Sequence, residues 1–177
     1  MKVEIKFFTY WHCDLGGSGG AKADALVVKD ADGLPYVPGK TLKGLAREMA
    51  ETLSDETFVD KYFGRASSEG QANTDRAEGE AYFGNAVLTE RVDVNLASYL
   101  YHTISSTAIE DNGLAKTGSL REIEVVVPLT LQATVSGIEK KDKAKMIQAF
   151  EQIKYIGLNR HRGLGRCEVS VIEEGQR

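Results

Sequence analysis

Three sets of residues carry groups suited to chemistry. The first is Gly157-Leu158-Asn159-Arg160-His161-Arg162-Gly163-Leu164-Gly165-Arg166, with three glycines, three arginines and a histidine. Glycine lets backbone N–H groups turn toward an anion, and arginine adds forked donors that match phosphate oxygens. The run suits a phosphodiester backbone. It equally suits a Gly-rich turn with solvated charges, and composition alone does not separate the two. The second set lies around Pro38-Gly39-Lys40-Thr41-Leu42-Lys43-Gly44 and Arg47. Here a helix start and its dipole sit beside cations, and Lys43 and Arg47 share a face one turn apart. The third is Asp24, between two alanines and ahead of Leu26-Val27-Val28. A carboxylate there could hold a divalent cation or accept a proton. Its plain alternative is a turn or cap residue.

Other chemistry is disfavoured by spacing. A Walker A loop needs four residues between its first glycine and the Gly-Lys pair. Gly33 stands one position too early for Gly39-Lys40-Thr41, and Pro35 and Pro38 lack N–H groups to offer. His12, Cys13, His102, His161 and Cys167 show no zinc-ligand spacing. No nucleophile elbow is present.

The elements that must position these residues can be read from periodicity. Val3, Ile5 and Phe7 alternate with polar residues, predicting a strand over 2–10. Gly16 to Gly20 breaks the pattern with four glycines and a serine. A helix is expected from Lys40 or Thr41, burying Leu42, Leu45, Met49 and Leu53 and exposing Lys40, Lys43 and Arg47. Residues 67–79 read as a polar loop and 80–89 as a second strand. Residues 90–120, with turns at Asn112-Gly113 and Gly118, are expected to form an insertion with a hairpin or arm. Glu122 to Val135 reads as one long strand, Lys140 to Tyr155 as a helix, and Gly163 to Ile172 as the last strand. The order β–α–β–β–α–β is an α+β, ferredoxin-like (RRM-like) split βαβ pattern with an arm inserted between the middle strands.

Composition sets the outer bounds. The 177 residues fit one domain with a real core, and 42% apolar with 27% charged content is ordinary for a soluble chain. No apolar run spans a bilayer, and the start reads as a strand rather than a signal peptide. Two cysteines suggest no disulfide framework, so the cytoplasm is the default compartment. A net charge of −4 argues against coating nucleic acid over the whole surface. A local basic face remains open.

Taken together, the chain resembles the RAMP superfamily, the RNA-binding subunits of CRISPR effector complexes, and most of all the backbone subunits of type III (Csm and Cmr) complexes. Three blocks carry the resemblance. Gly16-Gly17-Ser18 followed by residues 24–30 and 33–47 is similar to the family's N-terminal block. Residues 82–90 are similar to its second strand, and Gly157 to Arg166 to its C-terminal glycine-rich loop. Thr107-Ala108-Ile109-Glu110 and Gly118-Ser119-Leu120-Arg121 are similar to the arm that separates neighbouring base pairs.

The resemblance implies a single RAMP domain with its arm near residues 90–120. It implies a guide RNA, a target RNA, other effector subunits and copies of itself in a helical stack as partners, with no membrane. RNA contacts would come from Gly17, Ser18, Lys40, Thr41, Lys43, Arg47, Arg121, Arg160, His161, Arg162 and Arg166. Asp24 matches the aspartate with which such subunits cut target RNA. It would act with a divalent metal (Mg or Mn), through attack of a ribose 2′-hydroxyl on the adjacent phosphate. No tightly bound organic cofactor is implied. A RAMP subunit that binds RNA without cutting it is the alternative, and a small P-loop-like nucleotide hydrolase is a third reading that the glycine spacing disfavours.

Overall fold

The computed structural model describes residues 1–14, 25–65, 78–90 and 92–172. Along the chain run β1 (Lys2–Phe7), α1 (Gly39–Leu53), α2 (Glu56–Phe63), β2 (Tyr82–Phe83), β3 (Val87–Leu88), β4 (Tyr101–Ser106), β5 (Arg121–Val126), β6 (Thr130–Ser136), α3 (Lys143–Glu151) and β7 (Cys167–Ile172). The main sheet has the order β2-β6-β1-β7, with β3 also on β6, and each pair is antiparallel. With β2 and β3 as one interrupted strand, this is the ferredoxin-like order. β4 and β5 form a separate two-stranded ribbon inserted between the middle strands.

The alternation in β1 buries Val3, Ile5 and Phe7, which meet Leu131, Ala133 and Val135 of β6 and Cys167 and Val169 of β7. Helices α1 and α3 cover this face through Leu42, Ala46, Ala50, Met146, Ala149 and Phe150. The other face is polar, with Lys2, Glu4 and Lys6 on β1.

Four expected boundaries change. The strand expected over 2–10 ends at Phe7, because the chain then turns to pair with the segment before β7. The single strand expected over Glu122–Val135 is two strands in different sheets, interrupted at Pro128, which has no N–H for a ladder. The last helix is shorter, with one 3-10 turn at Lys140–Asp142 before α3. The last strand starts at Cys167, because Gly163 and Gly165 have φ of 87° and 71°, outside strand geometry.

Helix α2 was not expected from periodicity. Its signals are local: Asp55 caps the Phe58 N–H at 3.0 Å, Gly64 ends it at φ 82°, and Phe58, Val59, Tyr62 and Phe63 make its buried side. On α1, Ala46 and Ala50 replace Leu53 as core residues. Leu53 is 48% exposed.

Candidate nucleic-acid interface

The glycine-rich run is first of all a structural seam. Phe8 N–H donates to Arg166 O (2.9 Å), Gly165 N–H to Tyr10 O (2.7 Å) and Leu158 N–H to His12 O (2.9 Å). Gly157 has φ 98°, and a Cβ there would collide with the His12 carbonyl. At Gly165, with φ 71°, it would collide with the Ile156 carbonyl. Two of the three glycines are therefore required by close backbone approach, and the Gly165 N–H already has a partner. Gly163, at φ 87°, faces open space. Asn159, left-handed at φ 57°, starts the 3-10 turn Arg160–Arg162 that lifts the cations off the seam.

The seam places this run against the start of α1. A cavity of about 380 Å³ is lined by His12, Cys13 and Asp14, by Lys40, Thr41 and Leu45 of α1, and by Gly157, Leu158 and Arg160. Lys40 and Arg160 give it positive charge, and Asp14 gives one opposing carboxylate. A second cavity, of about 510 Å³, lies between α1 and the end of α3, with Glu48, Lys154, Arg160 and His161 on its walls. Arg160 Nη1 is 3.9 Å from Glu48 Oε2, so this arginine stands between the two. A third, of about 660 Å³, lies at the outer end of the β4–β5 ladder, where Lys116, Arg121 and Arg162 stand among the hydroxyls of Ser106, Thr107, Thr117 and Ser119. No carboxylate among the described residues lines it.

The sequence-predicted residues thus divide. Lys40, Thr41 and Arg160 meet in the first cavity, His161 joins Arg160 in the second, and Arg121 meets Arg162 in the third. Arg47 points elsewhere. Its Nε donates to Glu51 at 2.7 Å and its Nη1 to the Gly64 carbonyl at 3.1 Å, tying α1 to the end of α2. Lys43, half-buried on α1, lines none of these cavities, nor does the exposed Arg166. The helix start also offers less to an anion than its sequence suggests, because the Gly39 N–H donates to Asn85 Oδ1 at 2.9 Å. Gly17, Ser18 and Asp24 lie outside the described residues.

Sequence reasoning missed Lys116, whose placement depends on the long-range pairing of β4 with β5. It also considered His12 only as a zinc ligand. The ring is fully buried, with Nδ1 2.6 Å from the Glu124 carbonyl and Nε2 3.3 Å from Asp14 Oδ2. A carbonyl only accepts, so Nδ1 carries a proton. Beside it, burial and then the Asp14 charge push the Cys13 thiol up to about 12, and burial does the same to Cys167. Both thiols stay protonated at neutral pH and serve as packing. Among the described residues, no three His, Cys, Asp or Glu side chains gather to hold a metal. No helix among them is long and apolar enough to cross a membrane.

The comparisons agree with this architecture. No curated protein matches the sequence. A chain of the type III-B Cmr-beta complex bound to cognate target RNA, solved by cryo-EM, superposes with a TM-score of 0.71 at 12% identity, covering 96% of this chain and 95% of that one. A chain of the same complex in its apo state gives 0.70 at 12% identity, with 98% and 97% covered. At such identity the likeness establishes the fold. The sequence itself matches the RAMP superfamily over residues 4–168, and the chain belongs to that superfamily.

Proposed function

We propose that this chain is a guide-RNA-binding backbone subunit of a type III CRISPR effector complex. It works in the cytoplasm, stacked with copies of itself and beside other effector subunits. The observation that carries the reading is the pair of cation-lined cavities that share the Arg160–Arg162 turn. Lys40 and Arg160 meet at the start of α1, and Lys116, Arg121 and Arg162 meet at the outer end of the β4–β5 ladder. Such cations neutralise phosphates whatever the base sequence, as a scaffold for many guides requires. The similar fold of a Cmr-beta chain in a complex bound to cognate target RNA supports the same reading. In this reading the ribbon is the arm that meets the RNA between its base pairs. The test is to purify the protein with its natural partners and sequence the RNA that comes with it. Repeat-derived guides are expected, and random cellular RNA would sink the reading.

Target cutting at Asp24 with Mg or Mn belongs to the same proposal. A ribose 2′-hydroxyl attacks the neighbouring phosphorus, the bond to the 5′ oxygen breaks, and a cyclic phosphate and a 5′-hydroxyl result. Asp24→Ala, loaded with guide and target, should bind as before and stop cutting; cutting at the normal rate would remove Asp24 from the role. The alternative reading is a subunit that binds RNA and cuts nothing. A wild-type assembly that leaves target intact in Mg and in Mn selects it.

A further inference from the structure

Glu124 lines none of the three cavities, yet all its polar groups hold other segments. It lies in β5 opposite Thr103 of β4. Its N–H donates to Ala25 O at 3.0 Å, and its carbonyl accepts from His12 Nδ1 at 2.6 Å. One carboxylate oxygen accepts the Val27 N–H at 3.0 Å and the other accepts Lys29 Nζ at 2.8 Å. The side chain is only 15% exposed. Lys29 is fixed in turn, 4.0 Å above the Tyr101 ring, whose hydroxyl donates to Gly33 O at 2.6 Å.

This hub attaches the ribbon to the body. Trp11 does so as well: it exchanges both backbone hydrogen bonds with Val126 (3.1 and 2.8 Å) and donates its Nε1 to Val127 O at 3.1 Å, while the neighbouring Tyr10 ring lies 5.5 Å from that of His102 on β4. A ribbon held at Trp11 alone has a hinge. A second attachment two residues farther out removes the rotation about it. We propose that Glu124 is a positioning residue: it fixes the ribbon against the wall formed by His12 and Asp14, so that one RNA strand meets the Lys40–Arg160 cavity and the ribbon at a set spacing. This rests on the RNA-binding reading above. Two weak grips gain from each other only when their spacing is held.

The experiment uses the full chain and a mixed-sequence single-stranded RNA long enough to span both cavities, titrated from 50 to 200 mM salt. Glu124→Ala should weaken binding about tenfold, a small part of the gain that linkage of two sites can give. Its plot of log affinity against log salt should be shallower by about 1.4, because the ribbon's two cations, Lys116 and Arg121, no longer engage together with the cavity. Bare charge predicts the reverse: loss of an acid and release of Lys29 would tighten binding and steepen the plot. Native melting with unchanged or tighter binding therefore overturns the proposal. Should the alanine variant fail to fold, Glu124→Gln still accepts the Val27 N–H but turns a donor toward Lys29, and a smaller loss of the same sign is expected. A wild-type protein with a flat salt response sinks the RNA reading itself. A steep wild-type response that neither variant alters sinks the role of Glu124 alone.

Discussion

The seam between residues 8–14 and 154–167 and the β4–β5 ribbon are both glycine-punctuated and both carry arginine, but they are built in opposite ways. The seam is closed by backbone contacts across more than a hundred residues of chain. Gly157 and Gly165 allow carbonyls where a Cβ would stand, and buried Trp11, Cys13 and Cys167 pack beneath. The ribbon is closed locally. Glu110 N–H donates to Leu114 O at 2.8 Å, Gly113 N–H to Glu110 O at 2.8 Å, and Ser119 Oγ accepts from Ala108 N–H at 3.0 Å. Ile109, Leu114 and Leu120 stay exposed at its end. One region shares the core's stability, whereas the other gains little from folding and leaves apolar surface for something else.

The largest expected effect tests this division in apolar contacts. Phe150, fully buried on α3, lies 6.2 Å from the Phe83 ring, and Phe150→Ala should cost about 3–5 kcal/mol in a denaturant titration. Leu114→Ala at the ribbon's end should stay within about 0.5 kcal/mol. A large loss at Leu114 would mean that the ribbon belongs to the core after all.

The same comparison can be made with glycine. Gly157→Ala meets both a left-handed backbone and the His12 carbonyl, and should cost about 3 kcal/mol. Gly113, at φ 81° with open space where a Cβ would lie, carries the backbone strain alone, and Gly113→Ala should cost about 1 kcal/mol. Thermal melts separate the two, at roughly 2–4 °C per kcal/mol for a chain of this size. Equal losses would mean that the seam is not tightly closed.

What the sequence revealed follows the same division. Alternation along β1, the apolar stripe of α1 and the glycine-rich run are local patterns, and each was legible. Glu122–Val135 looked like one strand because Val, Ile and Thr continue across Pro128, and only tertiary pairing sends the halves to different sheets. Arg47 looked free on its helix face because its partner, the Gly64 carbonyl, belongs to a helix end that periodicity missed. For Lys40 and Arg160 the residue types were sufficient to nominate them. Their meeting depends on the seam, which joins residues far apart in the chain.

A pH titration probes the seam through its thiols. An exposed cysteine loses its proton near 9.0, whereas Cys13 and Cys167 are pushed up to about 12 by burial. The folded state therefore keeps protons that the unfolded state releases. The stability this gives is full below about pH 9 and is lost as pH rises toward 12. The melting temperature should fall across that window, and Cys13→Ala with Cys167→Ala should flatten the fall. An equal fall in the double variant would place the alkaline loss outside the seam.

The smallest effects compare how the two regions hold RNA. Lys40→Gln at the cavity beside the seam and Lys116→Gln at the ribbon's outer cavity each remove one cation. On single-stranded RNA each should lower the salt slope by about 0.7, with little change in melting. They should differ in what remains. The cavity beside the seam keeps Arg160 on a rigid wall, so Lys40→Gln should lose affinity without changing where the protein protects RNA from nuclease. The ribbon's hydrogen bonds to the body lie toward its inner end, at Tyr101, Glu124, Val126 and Val127, whereas Lys116 lies beyond the outer end of its ladder. Lys116→Gln should therefore also blur the edge of the protected segment nearest the ribbon. If both variants blur the same edge, the two cavities grip one phosphate cluster rather than two points along a strand. The ribbon would then be an extension of the seam's wall and not a second grip.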